Sequence, residues 1–169
     1  MGFFDVGPCL IKCERIAFDL LRDGTTQAIA VGSVDVLSAT RRQACADMQS
    51  QGEASVTLML ETADSASRRN ARPLAQLLGA SLAPTAEAAI QRALQQAGLT
   101  QDTVETVSSP APLCGDVQGA TTLLHLCLTL LAERTTPCLI LTSAPEQNTH
   151  VAIIVVGHTD DTDITDLHR

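Results

Sequence analysis

Six cysteines, four histidines and a scatter of acids are the residues with chemistry to offer, and their spacing limits what that chemistry can be. Cys9 stands near the start of an apolar-periodic segment, where a helix N-terminus favours the thiolate. That makes it the candidate nucleophile, although no histidine lies close in sequence to act as its base, and acyl transfer also needs oxyanion donors. The plainer reading is a small apolar residue at a helix start. Asp116 sits in the stretch Gly115-Asp116-Val117-Gln118-Gly119, directly ahead of the apolar run TTLLHLCLTLL. Small residues at a helix start permit close approach to the backbone, and an Asp there can either face a ligand or cap the helix. His125 lies among leucines with no second ligand four residues on, which fits a core histidine better than a metal ligand or base. His150 opens a strand, His158 and His168 are in or near the tail, and nothing groups the four.

The acids Asp35, Glu53 and Asp116 have turn and cap positions, and no ligand spacing connects them. Arg68, Arg69 and Arg72 form a small basic cluster that suits a solvated face or an acidic partner. There is no glycine-rich phosphate loop and no G-x-S-x-G elbow. None of the cysteines (Cys9, Cys13, Cys45, Cys114, Cys127, Cys138) forms a C-x-x-C pair, and Cys127 and Cys138 lie inside apolar runs. They read as small buried hydrophobes in a reducing compartment, not as a disulfide framework or zinc site. No metal and no cofactor are expected.

The elements that must position these residues follow from composition and period. The chain has 169 residues, 45% of them hydrophobic and 18% charged, which is globular composition in one domain with a real core. With three Phe and no Trp or Tyr, that core must be aliphatic. A net charge of −8 without a basic stripe argues against nucleic acid and against anionic membranes. No apolar run reaches spanning length, and the N-terminal stretch lacks an early basic region and a long apolar core, so a cytoplasmic location is expected.

Apolar positions at helical spacing predict a helix over 10–23, closed by Gly24. "AIAVGSVDV" (28–36) predicts a strand in which Gly32 allows close approach, and "ASVTLML" (54–60) a second. The segment 41–51 reads as a surface connection and 62–72 as a short exposed helix or loop. A strand over 74–82 precedes the cleanest helix, 85–98, with Thr85 as its cap and Gly98 past its end. A brief strand over 103–107, a helix over 117–132, and strands over 138–141 and 149–156 complete the pattern, the last fully buried by its continuous β-branched character. This alternation predicts one α/β domain over 1–157, a mixed sheet with helices packed on it, followed by a charged tail over 158–169.

The order of these pieces resembles the β-ketoacyl synthase branch of the thiolase-like superfamily. "FDLLRDGTTQAIAVGSVDVL" looks like the family's helix-then-strand segment, and Gly52-Glu53-Ala54 is similar to its Glu-Gly-Ala strand start. "TAEAAIQRALQQAGLTQDTVETV" resembles the helix that starts the family's C-terminal half. "GDVQGATTLLHLCLTLL" is similar to the Gly-His-x-x-Gly-Ala-Ala-Gly helix start, and "LILTSAPEQNTHVAIIVV" falls where the family has a glycine-rich loop between its last two strands.

The resemblance implies a truncated thiolase-like fold that begins at the helix carrying the family's nucleophilic cysteine. By the family's spacing, the nucleophile position falls on Gly7, two residues from Cys9, and the second catalytic histidine falls on Asp116. The first histidine's loop is replaced by "SSPAPLCGD", and the glycine-rich loop by "SAPEQN". The family's histidines stabilise an oxygen gaining negative charge, and a carboxylate at Asp116 would repel it. The resemblance therefore implies a non-catalytic, chaperone-like adaptor that binds another protein: a homodimer mate, a second thiolase-like chain, or an effector of type VI secretion. The rival it leaves open is a subunit of a split ketosynthase or acyltransferase in fatty-acid or polyketide synthesis, using Cys9.

Overall fold

The computed structural model describes residues 7–36, 52–107, 120–132, 134–144 and 148–158. In chain order the elements are α1 (Gly7–Arg22), β1 (Ala28–Asp35), β2 (Ala54–Glu61), α2 (Ala63–Arg68), β3 (Ala75–Ala83), α3 (Ala86–Ala97), β4 (Glu105–Thr106), α4 (Thr121–Leu131), β5 (Cys138–Ala144) and β6 (Thr149–Gly157).

The architecture grows from β6, whose residues Val151 to Val155 are all buried. A strand apolar on both faces must lie inside a sheet with a layer on either side. It is one of the two inner strands of the order β3-β6-β5-β4, antiparallel to β3 and β5, while β4 runs parallel to β5. The period of two then sorts the side chains. Val151, Ile153 and Val155, with Cys138 and Ile140 of β5, belong to one core. Ala152 and Ile154, with Leu139, belong to the other.

Helix α3 covers the second face, lying on β3 and β6. Thr85 caps it by accepting from the Ala88 N–H at 3.2 Å, and Gly98 ends it in the left-handed region at φ 66°. Its contact stripe is small, Ala89 and Ala93 being fully buried, so helix and strand backbones come close. Gly79 is where they meet, since a Cβ there would collide with the Ala93 carbonyl. Ser81 uses the same proximity, its hydroxyl donating to the Ala89 carbonyl. A bulge between Leu77 and Gly79 turns Leu78 and Gly79 both toward α3.

On the first face lie α1 and α4, which touch β3 and β5 respectively. Beyond them comes a third layer, β1 paired antiparallel with β2, which α1 and α4 also touch. Val31 and Val56 point inward from this ladder into the same core as Leu123 and Leu126 of α4.

The predicted mixed sheet is present, but β1 and β2 do not join it; they make a separate two-stranded sheet on the far side of the helices. Helix α1 is described from Gly7, ahead of the expected start. The strand expected over 103–107 shrinks to Glu105–Thr106, because Thr100 and Thr103 bond each other into a 3-10 turn: Thr103 Oγ1 donates to the Thr100 carbonyl at 2.7 Å. At Gly32, expected to admit a close approach, a Cβ would lie 3.0 Å from Thr57 Oγ1 and 3.4 Å from the Val56 carbonyl oxygen; the tighter backbone approach is at Gly79. The connection 41–51, positions 117–119 and the tail from 159 lie outside the described residues. His158, placed by sequence in the tail, still bonds through its N–H to the Leu74 carbonyl at 3.0 Å.

The tight α3–β3 contact gives a direct prediction. Gly79→Ala should lower the unfolding free energy by about 1–3 kcal/mol, since backbone must move to admit one methyl group. Urea unfolding followed by circular dichroism reads this as a lower midpoint with an unchanged slope.

Candidate functional site

The residues singled out by sequence separate in space. Gly7 and Cys9 both fall in the first turn of α1, which runs Gly7–Arg22. Asp116 lies outside the described residues, as does the connection that contains it. Helix α4 is described from Thr121, and the residue before it, Ala120, makes no side-chain cap. His125 is 2% exposed in the core face of α4, as expected of a core histidine.

Asp35 pairs with Ala54 in the ladder, so Asp35 and Glu53 come to the same end of β1–β2. Among the described residues no group of three His, Cys, Asp or Glu side chains is placed to hold a metal ion. The arginine cluster is largely committed. Arg69 forks onto the Glu61 carboxylate, with Nε to Oε2 at 3.0 Å, and Arg68 Nη2 donates to Gln27 Oε1 at 2.5 Å. The Arg69 bond holds the Glu61 carboxyl below the usual range and raises the guanidinium. Both arginines thus tie α2 and its exit back to the ladder.

One juxtaposition escaped the sequence. Ser143 Oγ lies 2.8 Å from His150 Nδ1, the two being directly opposed across β5 and β6. Hydroxyl and imidazole at this distance are a nucleophile and a base within reach of each other. The pair flanks the stretch that the resemblance matches to the glycine-rich loop, of which residues 145–147 lie outside the described ones. Sequence could have found it only by pairing the strands first, since the partners are seven residues apart and meet only in the antiparallel register.

The second surface of interest is apolar. Leu128 and Leu131 of α4 are 39% and 76% exposed, although that helix is apolar nearly all round. A helix of such composition ordinarily has neighbours on every side. The ladder adds Val34 and Met59, 57% and 63% exposed on its outer face.

The described thiols are free: Cys138 is buried and Cys127 half-buried. Burial pushes both thiols above their ordinary value, with Arg134 pulling Cys138 partly back. A folded pKa above the unfolded one means that the native state holds its thiol protons longer. The stability this contributes is complete below the unfolded thiol range and is lost as pH rises through the folded values. We therefore expect a falling melting temperature above about pH 8.5. Substituting Cys127 and Cys138 with Ala should flatten that decline in scans across alkaline pH, and iodoacetamide should alkylate both thiols faster in urea than in the native protein.

No family model matches the sequence, and no curated protein matches it either. Solved structures do. The chain is similar to a β-ketoacyl synthase from Burkholderia phymatum, at 14% identity and a TM-score of 0.69, covering 88% of this chain and 59% of that one. It is similar to a ketosynthase of a type II polyketide synthase solved with its acyl-carrier protein and bound to a hexaketide, at 12% identity and a TM-score of 0.76, covering 88% and 60%. A third similar structure is the ishigamide ketosynthase/chain length factor, at 16% identity and a TM-score of 0.62, covering 88% and 54%. The chain therefore spans a little over half the length of these solved proteins. No helix among the described residues is long and apolar enough to cross a membrane. Identities this low speak for architecture alone, and on that ground the chain has the thiolase-like α/β fold of the ketosynthases over nearly nine-tenths of its length.

Proposed function

We propose that this chain is a non-catalytic, protein-binding module built on the ketosynthase fold, an adaptor that completes its layers against another protein. The observation that carries this reading is the uncovered apolar surface of α4 and the β1–β2 ladder, where Leu128, Leu131, Val34 and Met59 face solvent. Exposed apolar area of this kind marks association surfaces. The letters of the sequence support it: Gly7 and Asp116 stand where the resemblance implies a nucleophile and a histidine, and neither performs those tasks. The partner classes are a second copy, another thiolase-like chain or a secretion effector held in a cytoplasmic complex.

A second reading is favoured by the Ser143–His150 contact and by Cys9 in the first turn of α1, and it makes the chain a subunit of a split ketosynthase or acyltransferase. Tagged protein recovered from its native cells separates the two. The adaptor reading expects a protein partner at fixed ratio, captured equally by wild type, Cys9→Ala and Ser143→Ala. An acyl-carrier protein as the partner, together with an acyl adduct on Cys9 or Ser143 by mass spectrometry, overturns it.

A further inference from the structure

The molecule treats its strand edges unequally. β3 is an outer strand of the four-stranded sheet, yet two of its outward backbone groups are taken up from α3. The Ala80 N–H donates to Gln96 Oε1 at 3.0 Å, and Arg92 Nη1 reaches the Leu82 carbonyl at 3.4 Å. Covering an edge in this way prevents another strand from adding to it. β1 has no such cover among the described residues beyond Thr26 Oγ1, which donates to the Ala28 carbonyl at 3.0 Å.

The ladder's hydrogen bonds show which groups β1 leaves open. The Thr62 N–H donates to the Gln27 carbonyl at 3.0 Å, so Gln27 and Thr62 are a hydrogen-bonded pair. In an antiparallel ladder such pairs alternate. With Ala28 opposite Glu61, the backbone of Ile29, Val31, Ser33 and Asp35 points at β2. Ala28, Ala30, Gly32 and Val34 direct their N–H and C=O groups outward, and all four are exposed.

We infer that this edge pairs with a second copy of the chain, β1 against β1 antiparallel about a two-fold axis at Val31. This deepens the association reading above and rests on it. In that register Ala28 meets Val34 of the other copy and Ala30 meets Gly32, each pair joining outward-directed backbone to outward-directed backbone on the same face. Val31 meets its own symmetry mate on the buried face.

Charge selects the same arrangement. The chain carries a net −8, which opposes most ways of bringing two copies together. Residues 28–34 carry no charge, and Asp35 falls opposite Gln27, so no carboxylate faces another across the junction. The competing edge, β2, ends in Glu61, whose backbone points outward by the same alternation. Small side chains at Ala28, Ala30 and Gly32 let the strands approach flat. Pairing turns two two-stranded ladders, marginal units alone, into one four-stranded sheet.

The test uses Ala30→Pro. Residue 30 sends its N–H away from β2, so proline there removes a bond from the new junction without removing one from the ladder. Sedimentation of the wild-type chain at about 100 µM, where even a modest interface is populated, should give twice the 17.8 kDa chain mass, and Ala30→Pro should give the single mass with an unchanged circular dichroism spectrum. Backbone hydrogen exchange keeps the inference testable should the variant misfold. Amides of Ala30, Gly32 and Val34 should gain protection as wild-type concentration rises, while Val31 and Ser33 stay protected throughout. A wild-type monomer at that concentration, or a dimer whose Ala30, Gly32 and Val34 amides exchange freely, overturns the inference. Capture of a different partner by Ala30→Pro leaves the adaptor reading standing on its own, whereas a wild-type dimer that captures no other protein removes every partner class of that reading but the second copy and spares this inference.

Discussion

A strand with no polar face dictates most of this architecture. Val151 to Val155 in β6 bury every side chain, so both faces of its sheet need apolar cover. α3 supplies one cover with a stripe of alanines, leaves Gln91 and Gln95 exposed, and lays Arg92 and Gln96 along the β3 edge. The other cover, α1 and α4, is itself apolar on the side facing away from the sheet, α4 especially. A helix layer of that kind transfers the requirement outward to a further layer. The β1–β2 ladder meets it by pointing Val31 and Val56 inward. Among the described residues the layers end there, on a sheet whose outer face holds Ala28, Ala30, Gly32, Val34, Ser55, Thr57 and Met59. The bare surface of the molecule is thus the last consequence of its most buried strand.

How much of this was legible depended on whether the deciding contact is local. α3 was legible to the residue at both ends, because Thr85 and Gly98 act on backbone groups within one turn of themselves. β6 was legible because a β-branched apolar run has few places to go. The separation of β1–β2 from the main sheet was not, since strand pairing depends on which helices intervene, and that is a property of the whole chain. Gly79 gave no local sign of its role either. Its lack of a side chain matters only because Ala93 stands over it, fourteen residues later in sequence.

The candidate site shows the same division. Cys9, Asp116 and His125 attracted notice as residue types, and the structure places His125 in the core and Cys9 in the first turn of a helix. Ser143 and His150 attracted little, yet antiparallel register sets them face to face. Charged residues tell a parallel story. Arg69 looked available for a partner's carboxylate, and it is engaged by one from its own chain, Glu61 at the end of β2.

The likeness to ketosynthases is close in architecture and slight in sequence, and the physics of the two levels explains how both hold at once. A layered core tolerates wide substitution provided that apolar volume and the alternation of faces are kept. β5 and β6 keep both here, Leu139 and Ile154 on one side, Ile140 and Ile153 on the other. Catalysis tolerates far less, because an oxyanion needs donors at particular points and a carboxylate in place of one reverses the sign of the interaction. The adaptor proposed above takes Gly7 and Asp116 as changes that would leave such a fold intact and remove only that chemistry. On that proposal the layered shape is what the chain offers, and the faces left uncovered among the described residues, on α4 and β1–β2, are where it would meet another protein.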